Sequence, residues 1–218
     1  TDYMGGDLVG ATAAMDDGWF TDLGVRTVWL SPVYDNPEGA YGGSYDYLYT
    51  GYHGYWPVQA RAVEDRMGTT DVSGDQALRD FVAAAHGRGI RVLLDTVLNH
   101  VHEDHEYVSE HPAWFTAQAC LCTTDPGPCN WDSNPVGCWF TDYLPDLDYQ
   151  TADIVDEVVA DTLWWVEEYD IDGLRVDAAK HMDHVVMRTL SMRAQELFEA
   201  PGGPEFYTVG ETFTGQGG

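Results

Sequence analysis

The sequence predicts an α/β fold, with a (β/α)8 barrel ahead of a doubly wound sheet. Three observations carry this. Short β-branched runs alternate with segments of helical spacing, the pattern of parallel strands joined by helical crossovers. Two of the strands are followed by connections, 32–74 and 98–151, far longer than such folds usually need. No Gly-rich phosphate turn follows any strand, which weakens the dinucleotide-binding alternative.

In chain order, helical spacing over 13–23 leads into a first strand, "VRTVWLS" (25–31). The first long connection, packed with Gly and Tyr, ends at a helix over 75–87 that stops at "HGRG", and "IRVLLDTV" (90–97) is the next strand. The second long connection carries all four cysteines and four of the histidines. A helix over 152–169, the strand "IDGLRVDA" (171–178), a helix over 183–199 and the strand "FYTVGE" (206–211) complete the pattern. Residues 1–98 and 152–218 are thus assigned to the barrel and 99–151 to an inserted subdomain. Both long connections leave the C-terminal end of a strand, where barrels build their active sites.

The 218 residues are 44% apolar and 13% aromatic, enough to bury a sizeable core. A formal net charge of −27 excludes nucleic acid and anionic membranes as natural partners and favours a neutral or cationic one. An acidic solvated surface is the plain reading of that charge, and a high-salt or dense extracellular medium is the alternative. No apolar run approaches the roughly 20 residues of a spanning helix, and no signal peptide starts at Thr1. Cys120, Cys122, Cys129 and Cys138 cluster in a stretch rich in Asp, Pro, Asn and Gly. Two disulfides fit better than a zinc site, with three connectivities open, and they imply an extracellular or periplasmic location.

The chemistry gathers at strand ends. Period-two alternation puts Leu174, Val176 and Ala178 on one face and Arg175 with Asp177 on the other, pointing inward at the barrel mouth. A guanidinium beside a carboxylate favours the ionised acid, which suits Asp177 to nucleophilic attack. Glu211 closes the next strand, so paired-carboxylate chemistry becomes available. Asp95 lies within the preceding strand, with Asn99 and His100 just past it; Asn99 offers an amide oxygen to a hard cation and His100 a hydrogen bond to a polar substrate. A rival reading takes "NHVHEDHEYVSEH" (99–111) as a transition-metal site.

The motifs "DTVLNH" (95–100), "LPDLD" (144–148), "GLRVDAAKH" (173–181) and "VGE" (209–211), with "GYHGYW" (51–56) ahead of them, resemble in order and spacing the short motifs of the α-amylase family of retaining α-glucan-active enzymes. The resemblance implies a partial (β/α)8 TIM barrel with an inserted subdomain after the third barrel strand. It implies Asp177 as nucleophile, Glu211 as general acid/base, and Arg175 as the group fixing the nucleophile. It further implies that His53, Tyr55, Trp56 and His100 bind the reacting sugar, with Lys180, the only lysine, and His181 on the leaving-group side. A structural Ca2+ would be held by Asn99, Asp146 and the main-chain oxygen of His181.

Six tyrosines and a tryptophan in "YGGSYDYLYTGYHGYW" (41–56) support a sugar substrate on separate grounds, since aromatic faces stack on sugar C–H faces. The implied activity is endo-hydrolysis of α-1,4-glucosidic bonds by a monomer, with maltooligosaccharide or starch-like glucan as the partner. The alternatives are a related α-glucan transferase, a maltogenic enzyme, or a non-catalytic glucan-binding protein. The family's first strand and its later motif find no counterpart here, so the reading expects an internal fragment, inactive on starch alone.

Overall fold

The computed structural model describes residues 6–42, 47–118, 120–122, 134–199, 201, 203 and 205–212. Its centre is a parallel sheet. The strands are β1 (Thr27–Leu30), a small hairpin of β2 (Ala40–Gly42) and β3 (Leu48–Thr50), β4 (Arg91–Thr96), β5 (Gly173–Val176) and β6 (Tyr207–Gly210). Among the described residues β1, β4, β5 and β6 lie side by side in that order, all parallel, so their C-terminal ends share one edge. All four strands read from the sequence form, each shorter by a residue or two at its ends, the usual fraying of a boundary.

The helices are α1 (Leu8–Asp16), α2 (Trp19–Asp22), α3 (Gly74–His86), α4 (Glu106–Glu110), α5 (Ala152–Tyr169) and α6 (His184–Phe198). The helix expected over 13–23 is two. α1 starts earlier, where the Asp7 side chain accepts a bond from the Gly10 amide, and the chain breaks at Gly18, whose φ of 90° no helix contains. α3 is capped by Ser73, whose hydroxyl accepts from the Gln76 amide. It ends in the "HGRG" turn, with Gly89 at φ 68°. The β2–β3 hairpin and α4 were not anticipated; a run of Gly and Tyr carries no clear period, and α4 is one short turn.

β5 is buried on both faces, as a central parallel strand must be. Leu174 and Val176 pack with Val92 and Leu94 into the core under the helices. α5 covers that layer with Ile154, Val158, Val159, Leu163 and Trp165, all buried. It also holds both long connections. The Trp165 indole donates to the Ala60 carbonyl at 3.0 Å, and Asp161 takes Arg61 at 2.6 Å and the Tyr107 hydroxyl. Between β4 and α5 the described residues form α4, a 3-10 turn and isolated bridges such as His100–Asp146 and Leu121–Trp139.

Cys120 and Cys138 form a disulfide, and Cys122 is disulfide-bonded as well, while Cys129 lies outside the described residues. With no free cysteine among the described residues, the zinc alternative has no thiolates to use.

Candidate active site

One guanidinium organises the mouth of the sheet. The register sets Arg175 directly opposite Asp95 on the neighbouring strand. Arg175 Nη1 donates to both Asp95 oxygens, at 2.8 and 3.0 Å, and to Asp177 at 2.6 Å. Its Nη2 meets Glu211 at 2.9 Å. Three carboxylates from β4 and from the ends of β5 and β6 therefore share one cation. Asp177 and Glu211, expected as a pair, are brought together.

Asp95 is the member whose role the sequence reading left open. It is 0% exposed and also accepts the Tyr55 hydroxyl at 2.7 Å and the Trp29 indole at 3.2 Å. The Arg175 guanidinium lies over the Trp29 ring, 5.1 Å from its centroid. Burial raises the Asp95 carboxyl above the ordinary range, and the bonds from Arg175 and Tyr55 oppose that.

Arg175 acts on Asp177 in the expected direction, favouring the ionised acid, but burial outweighs it. Burial pushes the Asp177 carboxyl up to about 6; the bond from Arg175 pulls it down, and the charges of Asp95 and Glu211 raise it again. A cation divided among three anions cannot neutralise each.

Backbone geometry after β5 aims these groups. Ala178 sits at φ 50°, a left-handed conformation that costs a non-glycine residue about 1–2 kcal/mol. The turn it makes leaves Asp177 hydrogen-bonded through its amide to Thr96 at 2.9 Å and offers the Ala178 amide to Glu211 at 3.3 Å.

The loop before the site is equally constrained. Gly54 has φ 85°, and a Cβ there would lie 2.0 Å from the Pro32 carbonyl oxygen, so only glycine passes. The turn sets His53, Tyr55 and Trp56 together. Tyr55 N–H donates to His53 Nδ1 at 3.0 Å, and the His53 ring meets Trp56 at 4.7 Å. Trp56 is buried against Tyr41 of the hairpin and Tyr143. Tyr55 alone of the three reaches the carboxylate cluster.

His100 lies where expected, past β4, with Nε2 on the Tyr55 carbonyl at 3.1 Å. It is only 3% exposed, and burial lowers its imidazole to about 4, so it is neutral. Lys180 is half-buried, while His181 is buried, with Nδ1 on the Pro135 carbonyl at 2.7 Å.

Asn99 and Asp146 meet at the base of the inserted segment. Asn99 Oδ1 is buried without a hydrogen-bond partner. Asp146 is buried too, with Thr116 Oγ1 at 3.0 Å, and burial pushes its carboxyl up to about 8. Two buried oxygen donors, one without a partner, fit a hard cation. The histidine-rich stretch does not assemble for a transition metal. His102 and His105 spend Nδ1 on the amides of Asp104 and Tyr107, and no group of three His, Cys, Asp or Glu is placed to hold a metal among the described residues.

Known proteins resemble this chain in sequence and in fold. The family model described as "Alpha amylase, catalytic domain" matches residues 1–208, ending just before Glu211. Alpha-amylase 3 of Schizosaccharomyces pombe is 29% identical over 97% of this chain and 35% of its own length. A cyclomaltodextrin glucanotransferase of a Bacillus species is 28% identical over 99% of this chain and 30% of its own. The crystal structure of an α-amylase from Geobacillus thermoleovorans complexed with acarbose superposes with a TM-score of 0.77 at 27% identity, covering 97% of this chain and 42% of that one. The chain thus spans about a third of the length of these curated relatives.

Replacing the cation tests the cluster. Arg175→Met leaves the buried Asp95 and the half-buried Asp177 without their counter-charge, so their folded-state pKa values, already raised by burial, rise further. The deficit is greatest above those values and shrinks as pH falls and protons replace the guanidinium. Urea denaturation should show a loss of about 3–5 kcal/mol at pH 8 and a clearly smaller loss at pH 5. An equal loss at both would contradict the account.

Proposed function

The chain belongs to the α-amylase catalytic-domain family, a fold of the (β/α)8 type, and on that premise we propose that it hydrolyses internal α-1,4-glucosidic bonds of starch-like glucans by retaining double displacement. One observation carries the proposal: two carboxylates, Asp177 and Glu211, stand at the ends of adjacent parallel strands, held by the two nitrogens of one guanidinium. A binding module has no use for that pair.

In the first step the Asp177 carboxylate attacks the anomeric carbon on the face opposite the departing oxygen as Glu211 gives its proton to that glycosidic oxygen. The products are a glucosyl ester on Asp177 and a shortened glucan. In the second, the Glu211 carboxylate removes a proton from water, the water oxygen bonds to the anomeric carbon, and Asp177 leaves as carboxylate. Arg175 keeps Asp177 in line. Tyr55, fixed by Asp95, is the platform under the reacting sugar, with His53, Trp56 and His100 around it, and Lys180 and His181 serve the leaving-group side.

The elevated Asp177 carboxyl has a kinetic consequence. Attack needs the ionised form, so kcat/KM should fall on the acid side with an apparent pKa near 6. A limb near ~4, the ordinary carboxylate value, would contradict it. In the intact enzyme Asp177→Asn should reduce starch hydrolysis by about 10^3-fold or more. A 5-fluoroglucosyl fluoride should leave a glucosyl adduct on the Asp177 peptide by mass spectrometry; an adduct elsewhere would overturn the assignment.

Asn99, Asp146 and the His181 main-chain oxygen are proposed to hold a structural Ca2+, which would supply positive charge at the base of the inserted subdomain, residues 99–151. Asp146 has its folded carboxyl raised to about 8, so without a cation the folded state loses stability as pH rises through that value. Calcium at ~100 times its Kd should add about 2.7 kcal/mol, more above pH 8 than at pH 6, and Asn99→Ala should lose most of this. No calcium effect on Tm at either pH would remove the site. The disulfides support an extracellular or periplasmic enzyme as part of the same proposal.

A further inference from the structure

We propose that Phe140, from the inserted segment, is a sugar-contacting, specificity-determining residue at the junction of the reacting and leaving-group sides of the site, an assignment that rests on the function proposed above. The two histidines implied to meet the sugar, His100 and His181, are buried. The ring between them is Phe140, 5.2 Å from the His100 ring and 5.1 Å, edge-on, from that of His181. Phe140 packs against the cluster of Trp56, Tyr143 and Leu144 but is only half-buried, so it is the most exposed of the three rings.

That ring is held on a braced segment. Cys138, two residues earlier, is tied to Cys120, and the intervening Trp139 exchanges backbone bonds with Cys120 and Cys122 at 3.1 and 2.9 Å. The Trp139 indole donates to Thr116 Oγ1 at 2.9 Å, and the Pro135 carbonyl takes His181. An aromatic side chain fixed in this way stacks on a sugar C–H face with little further loss of rotamer freedom. A glucosyl unit seated on Phe140 would be an incoming acceptor as well as a leaving group, so the residue bears on the partition between water and sugar in the second step.

The test is calorimetric binding of maltohexaose to the intact enzyme silenced by Asp177→Asn, with wild-type Phe140 and with Phe140→Ala, Phe140→Leu or Phe140→Tyr, with Tm and disulfide mapping to show that each is folded. Stacking predicts Kd about three- to tenfold weaker for Ala and for Leu, and within about twofold of the silenced parent for Tyr. Leu fills similar space, so it carries the test if Ala fails to fold. Parental affinity in the Leu variant would mean that Phe140 only packs, and would overturn the inference while leaving the proposed function intact. No maltohexaose binding by the silenced parent would overturn the proposed function and this inference with it.

Discussion

The structure at the sheet mouth depends on how much negative charge one cation can gather. Arg175 is buried on the central strand β5, and its planar fork can serve several acceptors at fixed angles, as a lysine's point charge could not. Asp95 and Asp177 take one nitrogen and Glu211 the other. The pairing register makes the first contact unavoidable, because Asp95 and Arg175 are direct neighbours across the ladder. Buried charges are tolerable only when paired, so these contacts tie three strands together where the core ends. Their cost is an Asp177 that ionises less readily than a free carboxylate.

Around this cluster the long connections contribute in layers. The Gly54 turn and the Ala178 turn are strained or glycine-only, and each points a functional group at the cluster: Tyr55 toward Asp95, and the Ala178 amide toward Glu211. The Trp56, Tyr143 and Leu144 cluster, with Tyr41 against it, locks the hairpin and the inserted segment onto the same loop. α5 anchors both connections from below through Trp165 and Asp161. A rigid floor therefore carries irregular walls, which is how barrels vary specificity without changing fold.

Much of this was legible in the sequence, because strand periodicity is local. Arg175 and Asp177 share a face by a two-residue repeat alone, and "LPDLD" and "GLRVDAAKH" carry the family's order. What was not legible depends on pairs distant in the chain. Asp95 reads as one polar residue in a strand until the register sets it against Arg175, 80 positions away. The rise in Asp177 comes from burial and two remote carboxylates, and a dipeptide view sees only the neighbouring guanidinium. The burial of His181 under the inserted segment, with Pro135 46 positions away as its partner, is likewise a long-range contact that the local motif does not show. The break at Gly18 and the left-handed Ala178 are backbone choices that side-chain patterns do not encode, although Asp-Asp-Gly at 16–18 was a fair turn signal.

The central claim, that Asp177 and Glu211 act in sequence across one Arg175-held pair, is tested most directly by the stereochemistry of the product. Proton NMR of the intact enzyme cleaving a maltooligosaccharide, recorded before mutarotation, should show the α-anomer of the new reducing end appearing first, as two displacements require. First appearance of the β-anomer would mean a single displacement by water, and would contradict the role assigned to Asp177.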